Sequence, residues 1–169
     1  HLEDMVRSKS RDLTNALQKT RDSFEFTLRA LATMLDVREH VTGAHSQRVQ
    51  TISCLVAQKS GIQGRDLEDL RQGALLHDIG KMGVRDHVLL KPEQLEEGEV
   101  DLIREHTRIG AQILAEPRTE LIVVALEMAR HHHERWDGQG YPDGLKGKDI
   151  PLSARICAVA DVFDALTSS

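Results

Sequence analysis

Aromatic side chains are scarce: the 169 residues hold one Trp, one Tyr and three Phe. Any core must therefore be built from Leu, Ile, Val and Ala. Cysteine is scarce as well. Cys54 and Cys157 sit in apolar stretches with no CxxC spacing, which speaks against a disulfide framework and reads as two small buried hydrophobes in a reducing compartment. No run approaches the roughly 18 apolar residues of a membrane span, and no signal-peptide pattern is present. The expectation is a cytoplasmic chain with no membrane segment, which still allows a piece of a larger, membrane-tethered protein. Basic charge is not in excess. A net charge of −5 argues against a general DNA or RNA binder, which would carry a basic face. It does not exclude a small anionic ligand, because a local metal or lysine can outweigh the global field.

What is present is helical periodicity, in a length that suits one domain. Residues 1 to 35 read as one long helix, with Leu2, Val6, Leu13, Leu17, Phe24, Leu28 and Leu31 at helical spacing and charges between them. The first 20 residues are too polar to pack alone, so the segment reads as a connector with a heptad-like stripe. The domain proper is expected over 36–169. Its second helix is "SQRVQTISCLVAQKSG", stopped by Gly61. The third is "RDLEDLRQGALLHDIGKMG", opened by Asp66 and closed near Gly80. An irregular connector leads to a fourth, "EVDLIREHTRIGAQILAE", stopped by Pro117. "RTELIVVALEMARHHH" is the fifth, and "LSARICAVADVFDALTSS" the sixth. Between them, "ERWDGQGYPDGLKGKDIP" holds too much Gly, Pro and Asp for anything but a long loop. No segment alternates with a strand's period of two, so the fold class is all-α.

Several polar residues fall where this pattern calls for apolar ones. His77 and Asp78 follow "GALL", Asp161 interrupts "ICAVADVF", His106 lies among isoleucines, His131, His132 and His133 end an apolar helix, and His45 begins the second helix. A lone buried histidine is ordinarily a hydrogen-bonded core residue. Five helices each delivering one or two such groups is a different matter, because unpartnered buried carboxylates and imidazoles cost several kcal/mol each, roughly. A shared cation removes that cost and needs neutral imidazoles and ionised carboxylates as ligands. The set suits Fe, Mn, Zn, Ni or Co, is too large for one ion, and includes an adjacent His-Asp pair able to bridge two. Helical geometry alone does not choose among the three consecutive histidines.

"HDIGK", followed by "HHERWDGQGYPDGLKG" and "DIPLSARICAVADVFDALTS", resembles the HD-GYP family, a branch of the HD-domain metal-dependent phosphohydrolases. The resemblance runs from about Asp36 to the last residue, with Gly140, Tyr141 and Pro142 as its signature. It implies an HD-domain helical bundle with two or three metal ions, commonly iron or manganese. It also implies hydrolysis of cyclic di-GMP to linear pGpG or to GMP by a metal-bridging hydroxide. Carried onto this chain, it assigns one ion to His45, His77, Asp78 and Asp161, and the other to Asp78, His106, His132 and His133. His131 is then an ordinary outward-facing residue. Lys81 would contact a substrate phosphate, and Asp78 and Lys81 would be the catalytic pair. Asp164 would stand behind the ligands or touch substrate, or else be a plain helix-surface residue. Tyr141 and Trp136 would pack near the guanine bases or brace their loop.

Three departures qualify the resemblance. Members with three metals carry a glutamate four residues before the histidine matching His45. Here that position is Val41, with Glu39 and His40 nearby but out of register, so two divalent ions are expected. Arg85 stands where the family commonly has proline. The family usually continues past the position of Ser169 with an Arg-Pro-Tyr segment, so a C-terminal part is expected to be missing. The implied setting is the output domain of a bacterial signalling protein. Its partners would be an upstream sensor or receiver domain, a second copy through the N-terminal helix, and a GGDEF-type cyclase. Competing readings are a di-iron oxygenase, which the GYP loop and Lys81 argue against, a non-catalytic cyclic-dinucleotide-binding module, and a generic HD nucleotidase.

Overall fold

The computed structural model describes residues 2–40, 45–116 and 119–168. Val41, on which the two-metal expectation rests, and Pro117, expected to stop the fourth helix, lie outside them. Among the described residues the secondary structure is helical, with no strand. The elements are α1 (Leu2–Arg38), α2 (His45–Lys59), α3 (Gly64–Ala74), a 3-10 turn over Ile79–Gly83, α4 (Asp86–Leu89), α5 (Glu97–Arg104), α6 (His106–Ile113), α7 (Glu120–His131), a 3-10 turn over Gly147–Asp149 and α8 (Leu152–Thr167).

α1 is continuous past residue 35, and its first buried side chain is Leu28. Before that point its apolar residues are exposed, Leu13 and Leu17 among them. Leu28, Ala32 and Leu35 are buried, the first two in a core with Leu76, Ile79, Ala125 and Ala129. A second core joins Val49, Ala57, Leu70, Ala74, Met128 and Cys157. α7 supplies both, Ala129 to one and Met128 to the other. No aromatic residue is buried among those described. Alanine takes that place at the crossings, and a methyl side chain lets helix backbones approach closely.

Two expected helices are interrupted. The third ends at Ala74, before the His-Asp pair, and Gln63 rather than Asp66 precedes its first turn. The fourth breaks at Glu105 into α5 and α6. Both breaks are met in the same way. A helix end leaves carbonyls without partners, and a histidine side chain takes one at each: His77 Nδ1 lies 2.8 Å from Ala74 O, and His106 Nδ1 2.6 Å from Ile103 O. Periodicity continues across both breaks, so hydrophobic spacing cannot reveal them.

Gly80 brings the two breaks together. A Cβ there would fall inside the backbone of His106 and Gly110. The 3-10 turn carrying Asp78 and the start of α6 carrying His106 are therefore in backbone contact. We expect Gly80→Ala to destabilise the chain by about 2–3 kcal/mol in urea unfolding, the cost of overpacking a rigid contact. A variant within about 0.5 kcal/mol of the parent would contradict this contact.

Candidate metal centre

Asp78 sits at the inner start of the 3-10 turn and is buried, as are His77, His106 and His132. Its two oxygens face different partners. Oδ1 lies 3.5 Å from His106 Nε2 and 3.6 Å from His132 Nε2. Oδ2 lies 3.3 Å from His77 Nε2, 4.0 Å from His45 Nε2 and 2.8 Å from Lys81 Nζ. Two groups follow, each with ligand atoms within 4.8 Å of one another: Asp78, His106, His132 and His133, and His45, His77 and Asp161. Within the second, His45 Nε2 is 3.4 Å and His77 Nε2 4.0 Å from Asp161 Oδ1. Ligands about 2.1 Å from a shared ion lie roughly 3–4 Å apart, so both groups could each hold one cation. All seven residues expected to ligate are thus brought together, and Asp78 reaches both groups.

The histidines are held for this by their other nitrogen. His77, His106 and His132 place Nδ1 on the carbonyls of Ala74, Ile103 and Met128, the last at 2.8 Å. A carbonyl only accepts, so Nδ1 carries a proton and Nε2 is the nitrogen turned to the cluster, presenting a lone pair whenever the ring is neutral. His45 directs Nδ1 to Asp164 Oδ2, 2.7 Å away, and Asp164 also accepts from Arg48 Nε at 2.6 Å. His77 Nε2 and Asp78 Oδ1 have no hydrogen-bond partner although buried. Such orphans are costly unless something else serves them, and a cation in each of the two groups would.

Charge states at His133, His106 and Asp78 fit the same use, whereas His77 must first lose a proton. Burial and the neighbouring His132 and His106 push His133 down to about 2, and burial pushes His106 down to about 4, so both are neutral at ordinary pH. Burial opposes the Asp78 carboxylate, but Lys81 and His77 outweigh it and keep its pKa well below the usual range. For His77, burial favours the neutral ring, yet Asp78 wins and raises its pKa to about 9. Lys81 is held above its ordinary value because Asp78 and Glu39 overcome its burial.

Around these groups lies a cavity of about 300 Å³ lined by Glu39, His45, Arg48, Asp78, Lys81, His133, Asp161, Asp164 and Ser168. Lys81 is therefore at the cavity, though not as a solvated helix-end lysine. Asp164 is not a helix-surface residue: it is buried, and His45, Arg48 and Ser168 occupy its oxygens. Tyr141, expected against substrate or as a brace, stacks on His133 (centroids 4.8 Å apart, 21° between planes) and lines a separate hollow with Arg104 and Pro142. Trp136 is exposed, with Arg155 5.9 Å from its ring. His131 turns away from the cluster but not into water, since its Nε2 lies 3.0 Å from Asp143.

Sequence reasoning missed three supports. Asp36 accepts from Ser46 Oγ at 2.7 Å and so ties α1 to the first turn of α2, where His45 sits. It is an acid on the buried face of α1, the same signal that singled out Asp161. Glu134 is buried and accepts from the amides of Asp143 and Leu145, fastening the Gly-rich loop beside His132 and His133. Glu39 meets Lys81 across 2.9 Å; only the turn after α1 brings it there.

The sequence profile described as HD domain matches residues 29–169. The cyclic di-GMP phosphodiesterase response regulator RpfG of Xanthomonas campestris pv. campestris (strain 8004) is 45% identical over 143 residues, covering 85% of this chain and 38% of that protein. The cyclic di-GMP phosphodiesterase of Thermotoga maritima is 40% identical over 148 residues, 87% of this chain and 40% of that one. The 3'3'-cGAMP-specific phosphodiesterase 2 of Vibrio cholerae is 39% identical, over 90% and 29% respectively. The chain thus spans no more than 40% of the length of these relatives. The crystal structure of the Vibrio cholerae cyclic GMP-AMP phosphodiesterase V-cGAP3 shares the fold, with a TM-score of 0.64 at 23% identity over 85% of this chain and 41% of that one.

A proton held on His77 by the Asp78 carboxylate, 3.3 Å away, would compete with a cation for the same nitrogen. A raised pKa means that the proton is bound at neutral pH and competes with the cation. Affinity should therefore climb with pH and level off near the His77 value of about 9. We expect Mn²⁺ affinity, measured by calorimetry, to rise about tenfold per unit between about pH 7 and about pH 9, with release of one proton. A flat profile would contradict the assignment.

Proposed function

The chain belongs to the HD domain family, and on that premise we propose that it is a metal-dependent phosphodiesterase that hydrolyses cyclic di-GMP to linear pGpG, to GMP or to both. The observation that carries this reading is Asp78, with one oxygen toward each of two imidazole groups. We assign His45, His77, Asp78 and Asp161 to one divalent ion and Asp78, His106, His132 and His133 to a second, with Fe or Mn favoured and Zn, Ni or Co compatible with the donors. Bound there, two such ions would supply Lewis acidity and would lower the pKa of a nearby water.

The remaining steps belong to side chains of this chain. Four carboxylates line the cavity, Glu39, Asp78, Asp161 and Asp164, against the two cations Arg48 and Lys81. That lining alone repels a phosphodiester, and two divalent charges reverse its sign. Lys81 is placed to take up charge on a non-bridging phosphate oxygen. Asp164 holds His45 in the tautomer that presents Nε2, and the Tyr141 ring keeps His133 from turning away.

We read residues 1–35 as a connector from an upstream sensor or receiver domain and 36–169 as the HD-GYP domain, working in the cytoplasm where the nucleotide is found. The exposed stripe of α1 supports pairing with a second copy. Its seven-residue spacings (Val6, Leu13; Leu17, Phe24) fall within a longer period of eleven (Leu2, Leu13, Phe24; Val6, Leu17), which runs on into the buried Leu35 and Leu28. That period favours a nearly straight or slightly right-handed pair. A GGDEF-type cyclase as a further partner rests on the family resemblance alone.

Replacing Asp78 by Ala, and by Asn to keep its shape, should lower cyclic di-GMP turnover at least about a hundredfold, because Lewis-acid stabilisation is worth several kcal/mol. Bound metal, counted by elemental analysis, should fall in parallel. Turnover equal to that of the parent would defeat the reading.

A further inference from the structure

Lys81 is shared between two carboxylates, and the one that is not an expected metal ligand carries an inference that rests on the proposed function and deepens it. Its Nζ lies 2.8 Å from Asp78 Oδ2 and 2.9 Å from Glu39 Oε2. Asp78 Oδ2 is also the oxygen that faces His77 and His45. An ammonium and a divalent cation would compete for the same lone pairs. Left without a carboxylate in this largely buried setting, the ammonium would be drawn back to Asp78. Glu39 offers it another partner. Its side chain is only 15% exposed, and it lines the same cavity.

The position of Glu39 is fixed by its neighbour. Arg38, the last residue of α1, donates Nη1 to Lys81 O at 2.8 Å and Nη2 to Val84 O at 2.6 Å. Its Nη2 also lies 2.7 Å from Asp86 Oδ1. The end of α1 therefore grips both the backbone and the side chain of Lys81.

We propose that Glu39 is a positioning residue that holds the Lys81 ammonium at the cavity wall and thereby leaves Asp78 to serve the cations. Glu39 is bonded to Lys81, and no hydrogen bond or ion pair joins it to the expected ligand atoms among the described residues. It acts through Lys81, and it links the connector helix to the metal centre.

The test uses the 169-residue chain stripped of metal with a chelator, in four forms: parent, Glu39→Ala, Lys81→Met and the double variant, with Glu39→Gln as a same-shape control. Mn²⁺ affinity is read by calorimetry, and kcat and KM with cyclic di-GMP. Glu39→Ala should weaken Mn²⁺ binding about tenfold and lower kcat by a similar factor with little change in KM, the size usual for residues that orient metal ligands. Glu39→Gln, which keeps an acceptor oxygen, should recover part of both. In the Lys81→Met background, Glu39→Ala should change Mn²⁺ affinity by less than about twofold. An equal loss in both backgrounds, or no loss in the parent, would overturn the proposal. The Mn²⁺ arm needs no substrate, so a parent that binds Mn²⁺ but leaves cyclic di-GMP intact would sink the proposed function separately. A parent that binds no Mn²⁺ would sink both.

Discussion

A carboxylate inside a protein is expensive unless something positive answers it, and in this chain the chemistry-bearing residues are arranged around one such group, Asp78. Its burial is offset on one side by Lys81 and His77. On the other, Oδ1 meets His106 and His132 without a hydrogen bond. Gly80, two residues on, admits the backbone of α6 to the turn that carries this acid. The glycine and the aspartate in "HDIGK" thus solve one problem together, because the carboxylate reaches His106 only where no Cβ stands between the two backbones.

The helix termini supply the second half of the arrangement. A terminal carbonyl wants a donor, and a metal-binding imidazole wants its second nitrogen held. His77 and His106 meet both needs with one bond each, and His132 holds its ring on Met128 O, which also accepts the His132 backbone N–H. Each of these imidazoles sits at a helix end, after Ala74, after Arg104 and after His131. Those ends point at the cluster, so irregular backbone and chemistry coincide. His45 begins its helix instead and has no carbonyl of this kind; Asp164 from α8 takes the part.

The fold class and the convergence of the acids and imidazoles were legible in the sequence for a physical reason. A polar residue on an otherwise apolar helical face must be answered in three dimensions, and His77, Asp78, His106 and Asp161 announce themselves that way. The choice of His132 and His133 over His131 was not legible from spacing, since three consecutive residues on a helix end sweep most of a turn; it came from the family resemblance. In the structure His131 faces Asp143. The helix breaks were hidden because hydrophobic periodicity runs through a turn when the turn is itself packed. Glu39 was hidden because it meets Lys81, 42 residues away in the chain, only through tertiary structure. Tyr141 shows the converse: the loop was recognised at once by its glycines and proline, yet what the ring touches depends on Glu134 fastening that loop, which no local pattern reveals.

The central claim is that Asp78 stands between two cations. Anomalous diffraction from crystals grown with Mn²⁺, recorded near the manganese edge, tests it most directly. The account predicts two peaks flanking the Asp78 carboxylate, one within ligand distance of His45, His77 and Asp161, the other of His106, His132 and His133. A single peak that leaves either histidine group bare, or density away from Asp78 altogether, would contradict it.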